Sequence, residues 1–293
     1  MDWDDIRVFL AVARAGHLLG AAKRLRLNHA TVARRLNSLE TALQTKLFVR
    51  RPSGCNLTDE GERLLTHAER METEMLVGCS NIGHTELIID GTVRIGAPDG
   101  FGIAFLARRM GRLKTLYPNL LIQLVPVSQS FSLSRRDADI AITIGRPEEG
   151  RLVARKLTDY TLGFFAAQDY LARAGTPSKL EDLTQHVRIG AVEDMIYSLN
   201  FGHELVKDWK ADIEISSTLG RIEAVRVGAG IGVLQHFIAK QYENLVHILR
   251  EYLITRSYWI VSHEDLRDIR RISVVSEFIA NEVNREFRLF HPV

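Results

Sequence analysis

The stretch AAKRLRLNHATVARRLNSLETALQTKLFVRRPSGCNLTDEG, residues 21–61, decides the fold of the N-terminal part of the chain. Two small alanines lie in a short apolar segment, Leu18 to Leu25, and a three-residue turn follows it. Asn28 at the end of this turn is a good N-cap, because its side-chain oxygen can accept a hydrogen bond from the first turn of a helix. The helix after it is predicted by apolar residues at helical spacing, namely Val32, Leu36, Leu39 and Leu43.

Another helix is predicted upstream of this stretch. Its apolar residues follow the i, i+3, i+4, i+7 spacing of one helical face, and Gly16 is a typical C-terminal stop. Three short helices joined by tight turns, with small alanines where two of them cross, are typical of a helix-turn-helix unit. The apolar face of the first helix is formed by Ile6, Phe9, Leu10 and Ala13.

The outer face of the third helix carries groups that suit DNA. Steps of about 100° per residue point Thr31, Arg34, Arg35 and Ser38 away from the apolar stripe. An arginine fork can bond two acceptors of guanine, and a threonine or serine hydroxyl can reach base edges or phosphates. A solvated helix face is the alternative interpretation, both for these residues and for His29 at the start of the helix.

A two-stranded wing is predicted after the third helix. The segment from Lys46 to Thr58 alternates between apolar and polar residues, turns at Pro-Ser-Gly and alternates again. Arg50 and Arg51 near the tip of this wing are then placed to contact the phosphate backbone or the adjacent minor groove.

Charge is distributed unevenly along the chain. The 293 residues have a net charge of only +2, with 46% hydrophobic and 25% charged residues, as in ordinary globular proteins. Residues 14–51, however, contain nine basic residues and one acidic residue, so this segment carries +8 and the remainder −6. Such a concentration fits a polyanionic partner. The basic residues are Arg14, Lys23, Arg24, Arg26, Arg34, Arg35, Lys46, Arg50 and Arg51.

Residues 21–61 resemble the LysR family of bacterial transcription regulators. An Ala-Ala helix, a recognition helix ending in Leu-Glu, a Leu-Phe strand and a Leu-Thr-x-x-Gly exit occur at that family's intervals. The resemblance implies a winged helix-turn-helix that binds an operator in double-stranded DNA. It carries the family's DNA contacts over to His29, Thr31, Arg34 and Arg35 on the recognition helix and to Arg50 and Arg51 in the wing.

The chain departs from the family pattern in three places. Asn28-His29-Ala30 replaces the commoner Ser-Gln-Pro, Ala33 replaces a common serine, and His17-Leu18-Leu19 replaces a polar helix start. These departures leave docking on DNA intact, but the family's base preferences do not carry over.

A long helix is predicted to follow the wing. Thr58 is a plausible N-cap, and a near-heptad apolar stripe continues to about residue 84. A dimer partner is expected to cover this stripe, since the family's linker helices pair in this way; packing against the winged domain is the alternative. The resemblance further implies a homodimer and its assembly into a tetramer as a dimer of dimers. The stripe consists of Leu64, Ala68, Met71, Met75 and Ile82.

From Gly91 onward, strands alternate with helices, which predicts parallel sheets with helices on both faces. This part resembles the LysR effector domain, itself similar to periplasmic binding proteins. The fold class is therefore α/β overall: an all-α winged helix-turn-helix at 1–58, a linker and dimerisation helix at 59–88, and a two-lobed α/β effector domain at 89–293. Lobe I is expected at about 89–160 and 264–293, and lobe II at about 161–263.

A small-molecule effector is expected between the two lobes, because ligands of such folds bind at strand C-termini and helix N-termini. Ordinary loop or cap chemistry is the alternative for each candidate. The candidates after the first three strands are Asp99, Gly100, Phe101, Ser128, Gln129, Gly145 and Arg146. The second lobe adds Met195, Ile196, Tyr197 and Thr218.

Asp99 bears on which charge the effector carries where it meets this cleft. The resemblance aligns Gly100 with a serine or threonine that receives an effector carboxylate in many relatives. We expect Asp99 to place its own carboxylate on the N–H groups of Phe101 or Gly102 as a helix cap. An effector would then present a neutral or cationic group to Asp99, or its anion would be held elsewhere, for example by Arg146.

Other function classes lack support in the sequence. There is no nucleophile elbow, Walker motif or zinc-protease motif, so no catalytic residue, metal or cofactor is expected. Cys55 and Cys79 are too few for a disulfide framework. No leader or apolar run of membrane-spanning length occurs, so a cytoplasmic location is expected. An architectural DNA-binding protein without an effector and a bifunctional repressor-enzyme remain as alternatives.

Overall fold

The computed structural model describes residues 2–51, 54–81, 89–127, 138–147, 151–192, 209–266 and 269–291. Within them the chain forms two compact units. The first contains helices α1 (Trp3–Ala15), α2 (Leu18–Leu25), α3 (His29–Ala42) and α4 (Asp59–Asn81), with a hairpin of β1 (Phe48–Arg51) and β2 (Gly54–Leu57) before α4.

Each helix of the helix-turn-helix begins and ends where its local chemistry directs. A capping box between Asp2 and Asp5 starts α1, and Gly16, with a φ of +68°, ends it. The Oδ1 atom of Asn28 accepts a hydrogen bond of 2.9 Å from the Ala30 N–H and starts α3. The predicted helices are thus confirmed, with α2 at the predicted bounds.

The core of this unit joins the inward faces of α1, α2 and α3 with the hairpin and the start of α4. Leu43 was predicted to continue the α3 stripe, but it is the C-cap of α3 and is 37% exposed, because the helix ends there. The fully buried members of this core are Phe9, Val12, Ala21, Val32, Leu36, Leu39 and Ala68.

The predicted stripe of α4 divides into two parts. Ala68 is buried in the core of the winged domain and Leu64 packs against that core, which is the intramolecular alternative. Met71 and Met75, one and two turns further on, are 45% and 54% exposed. Within the described residues, the N-terminal half of α4 therefore belongs to the winged domain and only the following half presents an uncovered apolar face.

The second unit consists of one large sheet and the helices on it. Its strands are β3 (Gly91–Pro98), β4 (Leu120–Val127), β5 (Ile140–Ile144), β6 (Leu152–Ala167), β7 (Arg188–Gly190), β8 (Ile213–Glu214), β9 (Ile231–Gln235), β10 (Leu245–Ile248) and β11 (Ile254–His263). Its α-helices are α5 (Asp99–Phe101), α6 (Met110–Leu116), α7 (Gln168–Ala174), α8 (Thr218–Arg226), α9 (His236–Ala239), α10 (Arg270–Arg285) and α11 (Phe287–Phe290).

The sheet is mixed, which corrects the prediction of purely parallel sheets. The strand order is β4-β3-β5-β11-β6-β9-β7-β8, with β10 paired to β6. Within each lobe the β-α-β strands are parallel, as expected, but β6 and β11 run antiparallel to their neighbours. Two long strands that carry the chain out of lobe I and back again must run in opposite directions, and this crossing produces the antiparallel pairs.

β6 and β11 connect the two lobes. In lobe I, β11 pairs with β5; in lobe II, β6 pairs with β9 and β10. The ladder between β6 and β11 shifts register at Tyr258/Trp259, and a bulge of this kind bends a strand. Tyr258 to Ser262 of β11 pair with β5, so the return to lobe I begins within this strand.

The helix predicted from Phe101 to Leu116 is interrupted. A single π-helical stretch at Gly102–Leu106 and a 3₁₀ turn at Ala107–Arg109 separate α5 from α6. Such stretches interrupt the regular hydrogen-bond ladder of a helix and occur frequently near functional sites.

Candidate DNA interface and effector cleft

The outward face of α3 is the first candidate site. His29, Arg34 and Ser38 are exposed and Thr31 is half-buried, whereas the opposite face is fully buried in the core. The helix is therefore held rigidly by one side and offers a cation, an imidazole and hydroxyls on the other. These side chains are the kinds that bond base edges and phosphates in a major groove.

Arg35 differs from Arg34 because it is already engaged by acids. Its guanidinium lies 3.2 Å from the carboxylate of Asp4 and 3.4 Å from that of Asp5, with Asp2 at 3.8 Å. A DNA phosphate would have to compete with these three carboxylates. The geometry thus revises the prediction that Arg35 simply points toward DNA, and makes it a bridge between α3 and the start of α1.

Glu40 at the end of α3 organises the entry to the wing. Its carboxylate is 2% exposed and accepts hydrogen bonds from the N–H groups of Leu47 and Phe48 and from the Lys46 ammonium. Burial opposes ionisation, but these hydrogen bonds outweigh it and hold the pKa of Glu40 below its ordinary value. Sequence reasoning noted this residue only as part of the Leu-Glu motif and missed its role.

The wing is fastened to the first helix. The N–H of Cys55 donates to the carbonyl of Gly16 at 2.7 Å, and Thr58 caps α4 through its hydroxyl, which accepts from the Gly61 N–H at 3.0 Å. The predicted phosphate contacts of the Arg50 and Arg51 side chains lie outside what the structure describes.

The second candidate site joins the two lobes of the C-terminal unit. Asp99 follows β3 in lobe I and is only 7% exposed. Its Oδ2 atom accepts from the N–H of Thr218 at 2.7 Å and from the hydroxyl of Ser217 at 2.8 Å, both at the start of α8 in lobe II. A carboxylate from one lobe therefore caps a helix of the other.

This contact corrects the expected role of Asp99. Its Oδ1 atom accepts a hydrogen bond of 2.8 Å from the N–H of Gly100. The carboxylate does not bond the N–H groups of Phe101 or Gly102, contrary to the prediction. The Gly102 N–H instead donates to the backbone carbonyl of Asp99, which continues the helical turn. The carboxylate is thus left to turn toward α8.

Arg221 holds the segment that receives Asp99. Its guanidinium donates to the carbonyls of Ile215 and Ser216 and to the hydroxyl of Thr218, at 2.9, 3.3 and 3.2 Å. Burial lowers the pKa of this guanidinium, and the negative charge of Asp99 opposes that shift. Ser217 and Arg221 were missed in the sequence, although Ser-Thr-Leu-Gly-Arg carries the N-cap signal of a helix.

Phe101 is core rather than cleft. Its side chain is fully buried and packs on Phe105, Tyr258 and Phe290, with ring centroids 5.0, 4.6 and 6.1 Å away. The ring is therefore part of the core, and the prediction of Phe101 as an effector neighbour stays a prediction for its backbone. The cluster continues through Tyr160 of β6, whose ring stacks on that of Tyr258 of the neighbouring strand β11, with a distance of 4.2 Å between the ring centroids.

The remaining predicted cleft residues are not all brought together. Gly100 lies against Thr218 of lobe II. Gly145 and Arg146, by contrast, follow β5, where Gly145 has a φ of +81° and the exposed Arg146 lies 5.8 Å from the ring of Trp259. The predictions for Ser128, Gln129, Met195, Ile196 and Tyr197 lie outside the described residues.

The described residues were also compared with what a metal site and a membrane-spanning helix require. Among the residues described, no three His, Cys, Asp or Glu side chains come together in a way that could hold a metal ion. None of the helices in the described part of the chain combines the length and apolar character that a membrane span requires.

Comparison with known proteins identifies the family. Residues 3–62 match the model of the bacterial regulatory helix-turn-helix protein of the LysR family, and residues 89–284 match the LysR substrate-binding domain. The chain belongs to the LysR family. LysR-type regulators bind DNA through the first of these domains and respond to small molecules through the second, so the chain is an effector-controlled DNA-binding transcription regulator of α/β fold with a helix-turn-helix N-terminus.

Individual relatives agree with this assignment. The LysR-type chain is 27% identical over 288 residues to the transcriptional activator TtdR of Escherichia coli K12, covering 94% of this chain and 92% of TtdR. The structure of CrgA from Neisseria meningitidis is 26% identical, with a TM-score of 0.62 over 97% of this chain and 99% of CrgA. ArgP of Mycobacterium tuberculosis, 18% identical, shares the fold with a TM-score of 0.68 over 97% of each chain.

Proposed function

We propose that this LysR-type regulator reads its operator with the outward face of α3, chiefly through Arg34. His29, Thr31 and Ser38 flank it on the same face, and Arg50 and Arg51 of the wing contact the phosphate backbone or the minor groove. Arg35 contributes to DNA binding when its guanidinium is released from Asp4 and Asp5, and otherwise sets the position of α3.

The exposure of Arg34 on a helix whose other face is completely buried carries this proposal. Removal of its side chain leaves the core of the winged domain untouched. A good bidentate contact to a base discriminates by about 1 to 3 kcal/mol. In a dimer on a two-fold symmetric site, each protomer makes this contact, so the substitution removes it from both half-sites.

Gel shifts at fixed salt with Arg34→Ala and wild type test the proposal. The upstream DNA of the protein's own gene and a scrambled duplex serve as probes. The matched control is Arg108→Ala, which removes one exposed arginine from the C-terminal unit. We expect Arg34→Ala to lose specific binding by at least about tenfold with an unchanged thermal midpoint, and Arg108→Ala to bind as wild type. Wild-type affinity of Arg34→Ala would contradict the assignment.

The effector is proposed to bind between the lobes, beside the contact of Asp99 with α8. Gly100, Thr218, Gly145 and Arg146 are its candidate neighbours, together with Ser128, Gln129, Met195, Ile196 and Tyr197. A thermal-shift screen of small metabolites followed by effector-dependent footprinting tests this part. A footprint that no metabolite changes would favour an architectural DNA-binding protein.

The assembly is proposed to be a homodimer through the uncovered half of α4, with two dimers forming a tetramer. Met71 and Met75 supply the exposed apolar face that a partner helix would cover. Light scattering measures the mass of the assembly for Met71→Lys and Met75→Lys, which should lower it. Glu74→Lys, a substitution on the same helix outside this apolar face, is the control. We assign no catalysis to the chain and place it in the cytoplasm, where its DNA target lies.

A further inference from the structure

Asp99 and α8 form a contact between residues more than a hundred positions apart in sequence. The partners are a nearly buried carboxylate of lobe I and the first N–H of a nine-residue helix of lobe II, together with its N-cap hydroxyl. Hydrogen bonds that involve an ionised group are about twice as strong as neutral ones.

Helix N-termini attract anions, because their first N–H groups lack partners within the helix and the helix dipole adds positive potential. At α8 this attraction is already satisfied from within the protein. Asp99 takes the Thr218 N–H, while the Ser217 hydroxyl takes the Gly220 N–H at 3.2 Å and donates its own proton to Asp99.

Gly100 provides independent support for this closure. A Cβ atom built on Gly100 would lie 3.1 Å from Cγ2 of Thr218 and 3.2 Å from Cδ1 of Ile238, both in lobe II. These distances are tighter than ordinary van der Waals contact. The absence of a side chain beside Asp99 therefore allows lobe I to approach lobe II closely enough for the carboxylate to reach α8.

We propose that Asp99 is a tethered anion that joins the lobes at the start of α8 and occupies this helix end, so that an effector carboxylate is excluded from it. This inference rests on the proposed binding of an effector between the lobes. The tether itself, however, is a property of the protein without effector or DNA.

Chemical rescue tests the tether. Asp99→Ala removes the anion and leaves a space at α8 that a formate ion can fill. In thermal-shift assays of the full chain, we expect the midpoint of Asp99→Ala to fall by about 3 to 10 °C. Sodium formate should then raise it more than sodium chloride of equal ionic strength does. Wild type should not respond selectively to formate.

Asp139→Ala is the matched control. Asp139 also lies in lobe I and its carboxylate accepts a backbone N–H, that of Arg94 at 2.7 Å, but not one at a helix N-terminus. Formate should not restore this variant. An equal formate response in Asp139→Ala or in wild type, or no formate response in Asp99→Ala, would overturn the proposal.

A second pair of variants applies even if Asp99→Ala fails to fold. Thr218 is the first residue of α8, where proline is well accepted, and Ser217 before it has the extended conformation that proline requires (φ −79°, ψ 132°). Thr218→Pro deletes the N–H that Asp99 accepts and directs its ring Cδ at the same carboxylate, so it breaks the tether by both routes, whereas Thr218→Ala has only the side-chain loss. We expect the midpoint of Thr218→Pro to lie several degrees below that of Thr218→Ala; equal midpoints would overturn the proposal.

These experiments require neither DNA nor an effector. Their failure would remove the tether while leaving operator binding through Arg34 unaffected. Conversely, if formate rescues Asp99→Ala but Arg34→Ala binds the operator with wild-type affinity, the tether stands and the proposed mode of DNA binding is rejected.

Discussion

The guanidinium of Arg35 on α3 lies 3.2 Å from the carboxylate of Asp4 on α1. A counter-anion for α3 is therefore supplied by α1, and part of the basic charge counted in the sequence is compensated within the winged domain. Arg14, another member of that basic segment, is likewise paired, with Glu72 of α4 at 2.6 Å.

Removal of the Asp4 carboxylate takes away the nearest of the three carboxylates around Arg35 and also unpairs Arg7, so both cations become more available to phosphate. We expect Asp4→Ala to bind both operator and scrambled DNA about 3- to 10-fold more tightly at low salt, with a salt dependence that is steeper by up to about one counterion per protomer. Glu74→Ala, which deletes an exposed acid of α4, is the control for charge alone. Equal tightening by both variants in a salt titration would show that the Arg35 contact is irrelevant.

The wing arginines should act on every DNA sequence alike. We expect Arg50→Ala and Arg51→Ala to weaken binding to operator and scrambled DNA by the same factor. Each phosphate that loses its arginine should lower the slope of log K against log salt by about one. Binding isotherms at several salt concentrations measure both quantities. A changed base preference with an unchanged slope would instead indicate base reading by the wing.

Glu40 should stabilise the winged domain through its charge. Glu40→Gln keeps an acceptor but loses the charge-assisted bonds to Lys46, Leu47 and Phe48, so we expect a loss of about 1 to 3 kcal/mol at pH 7. Because the pKa of Glu40 is lowered by folding, this stability is present above the unfolded value, 4.5, and is lost as pH falls through the folded value.

Urea unfolding of wild type and Glu40→Gln across pH 3 to 7 measures this difference. The two stabilities should converge below pH 4.5. A constant difference over this range would mean that Glu40 acts by shape and not by charge. Glu62→Gln, an exposed acid of α4, provides the control.

The imidazoles of His236 and His247 should make the C-terminal unit sensitive to acid. Their Nε2 and Nδ1 atoms are 3.3 Å apart, His236 also contacts the Thr161 hydroxyl, and Lys240 and Arg250 add positive charge. Burial, His236 and these two cations lower the pKa of His247 to about 4. In the unfolded chain His247 binds a proton near pH 6.5, whereas in the folded chain it does so only near pH 4. The free energy of unfolding therefore falls as pH drops through this window.

The expected loss between pH 7 and pH 4 is about 1 to 3 kcal/mol, reduced from the full value by the partial exposure of His247. His247→Gln should flatten the dependence of the unfolding midpoint on pH. His291→Gln removes another imidazole from the same unit and should leave the wild-type slope. An identical slope in His247→Gln would exclude the histidine pair as the origin of the effect.

Local signals explain what could be predicted from sequence. The bounds of α2 and β4 and the caps at Gly16 and Asn28 depend on residues within a few positions of each other, and all agree with the structure. The fold class and the family are confirmed, because the motif of residues 21–61 records a local arrangement of helices and hairpin.

Contacts between distant residues could not be predicted in this way. The reach of Asp99 to α8 spans 119 positions and that of Arg35 to Asp5 spans 30. The antiparallel pairing of β6 and β11 depends on how the chain passes between the lobes. The apolar and polar pattern within one strand contains no information about this. The burial of Phe101 likewise depends on rings contributed by β11 and α11, far along the chain.

The crossing of β6 and β11 has an evolutionary consequence. The chain leaves for lobe II near Leu162 and returns at Ile254, and these two residues are direct partners in the ladder. The intervening segment is therefore continuous and its two ends are adjacent in the sheet, an arrangement in which the insertion of whole domains is tolerated. Recombination at these two points would exchange half of the sensor like a cassette. A lineage of such regulators could thereby acquire a new chemical input while keeping its promoters.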